Sequence, residues 1–139
     1  MFLIDTNVLS EPLRLVPHKR VAQWLEAQDV QKTFISVISE SEMYFGLNVM
    51  PPGKRRTFLE EQLPLIFDGY VGSRRLDFDR QCALRYAILR AQNQQQGRVM
   101  EVHDAMLAAT ALAYDLTLVT RNVSDFAHCD VPLLNPWTD

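Results

Sequence analysis

The chain has 139 residues, 47% of them hydrophobic, and a formal net charge of −3. That length suits one domain, with apolar content enough for a core without disulfides or structural metal. The acidic balance excludes binding nucleic acid by bulk charge, and no apolar run approaches the roughly 20 residues of a membrane span.

In chain order, residues 2–4 read as a short buried strand ending abruptly at Asp5. The Phe2-Leu3-Ile4 run lacks a basic leader, so no signal peptide is expected. Residues 18–28 carry Val21, Ala22, Trp24 and Leu25 at helical spacing. Thr33-Phe34-Ile35-Ser36 is a second strand, and residues 38–49 form a helix holding Glu42. Pro51-Pro52-Gly53 stops that helix and reads as a turn before another over 54–67. A third strand is expected at 75–78. Asp79 N-caps a helix through about Gln95, and Gly97 is its stop signal. Residues 104–114 are alanine-rich and helical, with Asp104 as N-cap; the alanines would let this helix pack close to the sheet. A fourth strand covers 116–120 and a short fifth 131–134. There is no repeat, low-complexity tract or linker, so residues 1–139 form a single domain.

Strands alternating with helices imply an α/β fold whose parallel sheet is covered on both faces. In such sheets sites form beyond the carboxyl ends of the strands. Asp5 and Thr120-Arg121-Asn122 each follow a strand and would open onto one edge. Cys82 and Cys129 have no CxxC spacing, so neither a zinc site nor a redox motif is indicated, and a reducing cytoplasm is the expected location.

Four acids stand in telling contexts: Asp5, Glu42, Asp104 and Asp125. Hard divalent cations such as Mg²⁺ favour carboxylate oxygens. Each acid also has a plainer reading. Asp5 could cap a helix starting near Thr6, although Thr6 and Asn7 could instead hold its carboxylate in a metal site. Glu42 shares a helix face with Ile38 and Phe45, and an acid on a partly buried face requires a partner; Glu40 points elsewhere. Asp104 could cap and ligate at once, since a carboxylate has several lone pairs. Asp125 could form a simple turn with Asn122. His103 is structural, solvated or in contact with substrate. Arg121 could balance the acids, meet phosphate or form a structural salt bridge. Lys54-Arg55-Arg56, Arg74-Arg75, Arg14, Lys19 and Arg20 are candidate nucleic-acid contacts or simply solvated faces. Trp24 and Trp137 read as packing residues. No Ser-His or Cys-His pair is evident, and Cys82 reads as buried and inert.

These contexts resemble a known family. Ile4-Asp5-Thr6-Asn7, the Glu42–Gly46 spacing, Asp104-Ala105-Met106-Leu107-Ala108-Ala109-Thr110-Ala111 and Thr120-Arg121-Asn122-x-x-Asp125-Phe126 are similar to the PIN-domain ribonucleases, and among them to VapC/FitB-type toxins of type II toxin–antitoxin pairs. The resemblance runs from Met1 to Asn135-Pro136-Trp137. It implies a three-layer α/β/α fold with a short, mostly parallel sheet. It also implies an Mg²⁺- or Mn²⁺-dependent endoribonuclease with Asp5, Glu42, Asp104 and Asp125 as catalytic metal ligands. Thr6, Asn7, Thr120 and Asn122 would support them. Asn122 replaces an aspartate that some members carry, which leaves open whether Asp125 binds metal directly or through water. The implied partners are RNA as substrate and a cognate antitoxin whose C-terminal tail places a basic side chain at the acids. DNA would be reached only through that antitoxin. A homodimer or toxin–antitoxin hetero-oligomer is expected, with Phe58, Leu59, Leu63 and Phe67 offering apolar surface. The alternatives are an RNA-processing nuclease without antitoxin and a non-catalytic nucleic-acid-associated regulatory subunit. An aspartyl-phosphate phosphatase is disfavoured, because its second aspartate is replaced by Asn7.

Overall fold

The computed structural model describes residues 1–139, the side chains of Tyr70 and Ser73 excepted. Five short strands, β1 (Phe2–Ile4), β2 (Thr33–Ser36), β3 (Arg75–Leu76), β4 (Thr117–Val119) and β5 (Leu133–Leu134), form one parallel sheet in the order β3-β2-β1-β4-β5. Six α-helices complete it: α1 (Thr6–Leu9), α2 (Lys19–Glu26), α3 (Val37–Val49), α4 (Lys54–Pro64), α5 (Arg80–Gln95) and α6 (Val102–Ala113).

Strand periodicity sends alternate side chains to opposite faces. Leu3 and Leu118 join one core with Leu89 of α5 and Ala105, Ala108 and Ala111 of α6. Their neighbours Ile4 and Val119 join a second core with Val8, Val21, Leu47 and Phe67. The sheet is therefore buried on both faces, and the three-layer α/β/α expectation holds. Within α6, Ala105, Ala108, Ala109 and Ala111 have no solvent exposure, as close packing of small side chains requires. No helix among the described residues is long and apolar enough to cross a membrane.

Three local expectations change. The helix expected over 54–67 leaves α geometry at Pro64 and continues as a π-helical stretch, Leu65–Val71; proline lacks the N–H that an α-helix needs at that point. Leu63 and Phe67, expected as association surface, are instead in the core at 3% and 0% exposure. Asp104 is not the N-cap of its helix: α6 begins at Val102 with Glu101 as cap, so Asp104 lies in the first turn. Asp79 does cap α5, accepting from the Cys82 amide at 3.0 Å, and Gly97 follows the helix with φ +65°.

Gly46 sits inside α3, exposed, with nothing within 4 Å of where a Cβ would stand. Gly46→Ala is expected to stabilise the fold by about 0.5–1 kcal/mol, because alanine costs less backbone entropy in a helix. A urea midpoint that does not rise would contradict this.

Candidate metal centre

The sheet order places β1 beside β4, and the connection from β1 runs to β2 on one side while that from β4 runs to β5 on the other. Such a switch point opens a crevice beyond the strands. Asp5 follows β1 there, and its amide donates to the Val119 carbonyl at 2.9 Å, tying it to the end of β4. It caps α1 and is only 8% exposed. Its carboxylate accepts from the Thr6 amide at 2.7 Å and from the Thr120 hydroxyl, itself fully buried, at 2.7 Å. A longer contact comes from the Asn7 amide group at 3.4 Å. Helix capping and a held carboxylate thus coexist at Asp5.

Glu42 projects from α3 towards the same place. The Thr6 hydroxyl lies 3.0 Å from one Glu42 oxygen and 3.3 Å from Asp5 Oδ1. One hydroxyl proton serves one acceptor at a time, and the shorter contact favours Glu42. The other Glu42 oxygen is 3.1 Å from His103 Nδ1. These are the partners that a half-buried glutamate needs. Glu40 pairs with Arg75 at 3.1 Å and takes no part.

Asp104 responds to the charge of the other acids. Its carboxyl is pushed up to about 6, first by burial and then by the negative charges of Glu101, Asp5, Asp125 and Glu42. Like charges disfavour further ionisation. Asp125 stands exposed on a 3₁₀ turn, Val123–Phe126, whose amide at Asp125 bonds the Asn122 carbonyl at 3.1 Å. Asp104 and Asp125 line a common cleft of about 430 Å³ with Arg98, Glu101, Ser124 and His128.

The supporting residues act unequally. Thr120 grips Asp5 and also accepts from the Asn122 amide at 3.1 Å. Asn122 therefore contributes through its backbone. Asn7 accepts from the Arg121 amide at 3.3 Å, joining the ends of β1 and β4. The Arg121 guanidinium lies 5.1 Å from the Trp137 ring centroid, a cation–π contact, and forms no ion pair among the described residues. Trp24 packs edge-on against Phe2, as a core residue would.

The basic clusters expected to meet nucleic acid are largely engaged within the fold. Arg14 pairs with Glu11, Arg56 with Glu60, and Arg75 with Glu40 and Asp68. Arg20, Arg55 and Arg74 donate to backbone carbonyls. Cys82 is fully buried, and burial raises its thiol pKa.

An all-carboxylate donor set suits a hard cation such as Mg²⁺ in kind, and the strain on Asp104 is the conflict that a cation relieves. Among the described residues no three acids, histidines or cysteines are already drawn into a ligand cage. The donors suit such an ion in their chemistry, and holding one would require side-chain adjustment.

The PIN domain family model matches residues 2–131. The chain belongs to the PIN domain family. Two relatives are similar over almost the whole length. VapC ribonuclease Y4jK of Sinorhizobium fredii is 36% identical over 99% of this chain and 98% of its own. Toxin FitB of Neisseria gonorrhoeae is 36% identical over 100% of both. A solved structure of FitAB bound to an IR36 DNA fragment superimposes with a TM-score of 0.92 at 34% identity, covering 100% of this chain and 97% of that one. The chain is thus a PIN domain of the VapC/FitB type.

In this PIN domain, sequence reading missed Arg98, Glu101 and His128 as neighbours of the acids. The available signal was position: Arg98 follows the Gly97 helix stop and Glu101 begins the Asp104 helix.

Thr120→Val keeps the shape of a buried side chain but removes the donor to Asp5. It is expected to cost about 1.5–3 kcal/mol and to lower activity roughly 10–100-fold, as loss of a group that orients a ligand does. Denaturation and initial-rate measurements on one preparation check both; wild-type rates would refute the orienting role.

Proposed function

We propose that this PIN domain is a divalent-metal-dependent endoribonuclease, the toxin of a toxin–antitoxin pair. The observation that carries the reading is that Asp5 and Glu42 share the Thr6 hydroxyl beyond the switch point of a parallel sheet while Asp104 and Asp125 line one cleft, the charges of the other three acids raising the Asp104 carboxyl. The ribonuclease and toxin names of full-length relatives support it.

Asp5, Glu42, Asp104 and Asp125 would hold Mg²⁺ or Mn²⁺, Asp125 directly or through water. When bound, such an ion supplies an acidified water and offsets phosphate charge. The chain's own residues do the positioning. Thr120 and the Thr6 amide fix Asp5, while the Thr6 hydroxyl and His103 fix Glu42. RNA would enter by the cleft beside Asp104 and Asp125.

The partner is a cognate antitoxin. A second groove, apolar and about 420 Å³, lies away from the acids between α1, α2 and the end of α4, lined by Leu9, Leu13, Leu25, Leu65 and Ile66. Such a groove suits the apolar face of a peptide. The DNA-bound FitAB structure supports DNA contact by way of a complex. A cytoplasmic location and a homodimer or toxin–antitoxin hetero-oligomer complete the reading.

The test combines catalysis and partnership. Purified protein is expected to cut single-stranded RNA with Mg²⁺ or Mn²⁺ and to stop with EDTA. A small protein encoded beside it is expected to co-purify, suppress cleavage and restore growth. RNA left intact by folded protein in Mn²⁺ would refute the nuclease. Cleavage with no such neighbour would leave an RNA-processing enzyme.

A further inference from the structure

The acidic site poses a problem for its own substrate. Glu101, Asp104 and Asp125 line a cleft that would have to admit a polyanion, and the basic clusters elsewhere are largely held by intramolecular bonds. Two basic side chains line that same cleft: Arg98, from the turn between α5 and α6, and His128, just after the Asp125 turn. Both are exposed, and neither makes an ion pair among the described residues.

Their supporting loops are held firmly. The Arg98 amide donates to the Asn93 carbonyl at 2.8 Å, directly after Gly97 with its φ of +65°. The Arg90 guanidinium donates to the Met100 carbonyl at 2.8 Å. Asn93 is only 5% exposed, and its side-chain amide lies 3.5 Å from Met100 Sδ. Met100 Sδ in turn lies 3.7 Å from Cys129 Sγ, joining the Arg98 turn to the segment that carries His128. The turn that carries Arg98 and the segment that carries His128 are thus each anchored on a buried group, Asn93 and Cys129, while the guanidinium and imidazole stay exposed at the cleft.

We propose that Arg98 and His128 form a phosphate-gripping wall that binds the RNA backbone beside the scissile linkage, Arg98 being the principal contact. The proposal rests on the nuclease reading and adds the residues that select and seat the substrate. A guanidinium presents a planar fork matched to two phosphate oxygens. Sharing a cleft with Glu101, Asp104 and Asp125, it offers phosphate an attractive contact beside carboxylates that repel it until they are neutralised. The cleft volume falls within the range of small-molecule sites, which suits a single strand threading one nucleotide at a time rather than a duplex.

The decisive experiment separates binding from turnover. Binding of a labelled single-stranded RNA is measured in Mg²⁺ with Asp5→Asn protein, with and without Arg98→Ala and His128→Ala, across a salt series. Arg98→Ala is expected to weaken binding roughly tenfold. It should also reduce the slope of log affinity against log salt by about 0.7, the signature of one lost phosphate contact on a single strand. In the otherwise wild-type enzyme the same change is expected to raise KM with kcat within about threefold, as loss of uniform binding does. Arg98→Lys should restore part of the affinity, and His128→Ala should give a smaller loss. The melting temperature should not move, since both side chains are exposed. Unchanged affinity and salt slope for Arg98→Ala would overturn the proposal whether or not the enzyme cuts RNA. Arg98-dependent RNA binding by a protein that never cuts would keep it and refute the nuclease reading instead.

Discussion

Asp5→Asn is expected to lower metal-dependent RNA cleavage at least about 1,000-fold while the protein stays folded, because one member of a site that acts as a unit is removed. The shape of the side chain is kept, and the Thr6 amide at 2.7 Å retains an oxygen acceptor. Asp104→Asn should lose activity to a similar degree but with an opposite effect on stability. The folded protein holds this carboxyl at about 6, above the ordinary 3.8, through burial and then the charges of Glu101, Asp5, Asp125 and Glu42. A raised acid favours the folded state only while protonated. The contribution is complete below pH 4 and lost as pH rises through about 6. In EDTA at pH 7.5, Asp104→Asn should therefore melt higher than the wild type, by roughly 3–5 °C. That corresponds to about 1 kcal/mol, a figure discounted because solvent screens a partly exposed group. At pH 4 the two should melt together. Active, folded Asp5→Asn protein would refute the metal centre; an Asp104→Asn variant that melts lower at pH 7.5 would refute the crowding of the acids.

The largest loss of stability is expected at Phe126. It is 1% exposed and packs in the core formed by Leu3, Ala108, Leu118 and Val131, next in sequence to the exposed Asp125. Truncating such an aromatic leaves a cavity and costs about 3–5 kcal/mol. Phe126→Ala should lower the melting temperature by about 10–20 °C. The 3₁₀ turn that carries Asp125 depends on this anchor, so cleavage should fall even at temperatures where the variant remains folded. The smaller apolar truncation Phe126→Leu should keep most of the stability. A loss below about 1 kcal/mol for Phe126→Ala would mean that the ring is not a core anchor.

Much of this molecule was legible in the chain because its signals are local. A strand closed by Asp5, a Pro-Pro-Gly break, an Asp79 cap and an alanine stripe each act over a few residues, where backbone preference and periodicity decide conformation. The position of Asp5 beyond a strand end needed only that pattern. The boundaries of α6 did not follow, because Glu101 and Asp104 are both acids near a helix start, and the packing of Val102–Ala113 on the sheet decides which one caps. Leu63 and Phe67 read from the chain as surface because an apolar helix face does not state what covers it; the second core does.

The sequence by itself determined an α/β domain with carboxylates at strand ends and helix starts, since those choices are made within one turn or one strand. Only the tertiary structure decided which groups meet. Thr120 reaches Asp5 across 115 residues, and His103 meets Glu42 because α3 and α6 approach above the same sheet edge. Arg98 shares a cleft with Asp125 and His128 because the α5–α6 turn packs beside the 3₁₀ turn after β4. Such meetings depend on strand order and helix packing, and side chains far apart in the chain carry no local mark of the partner they will find.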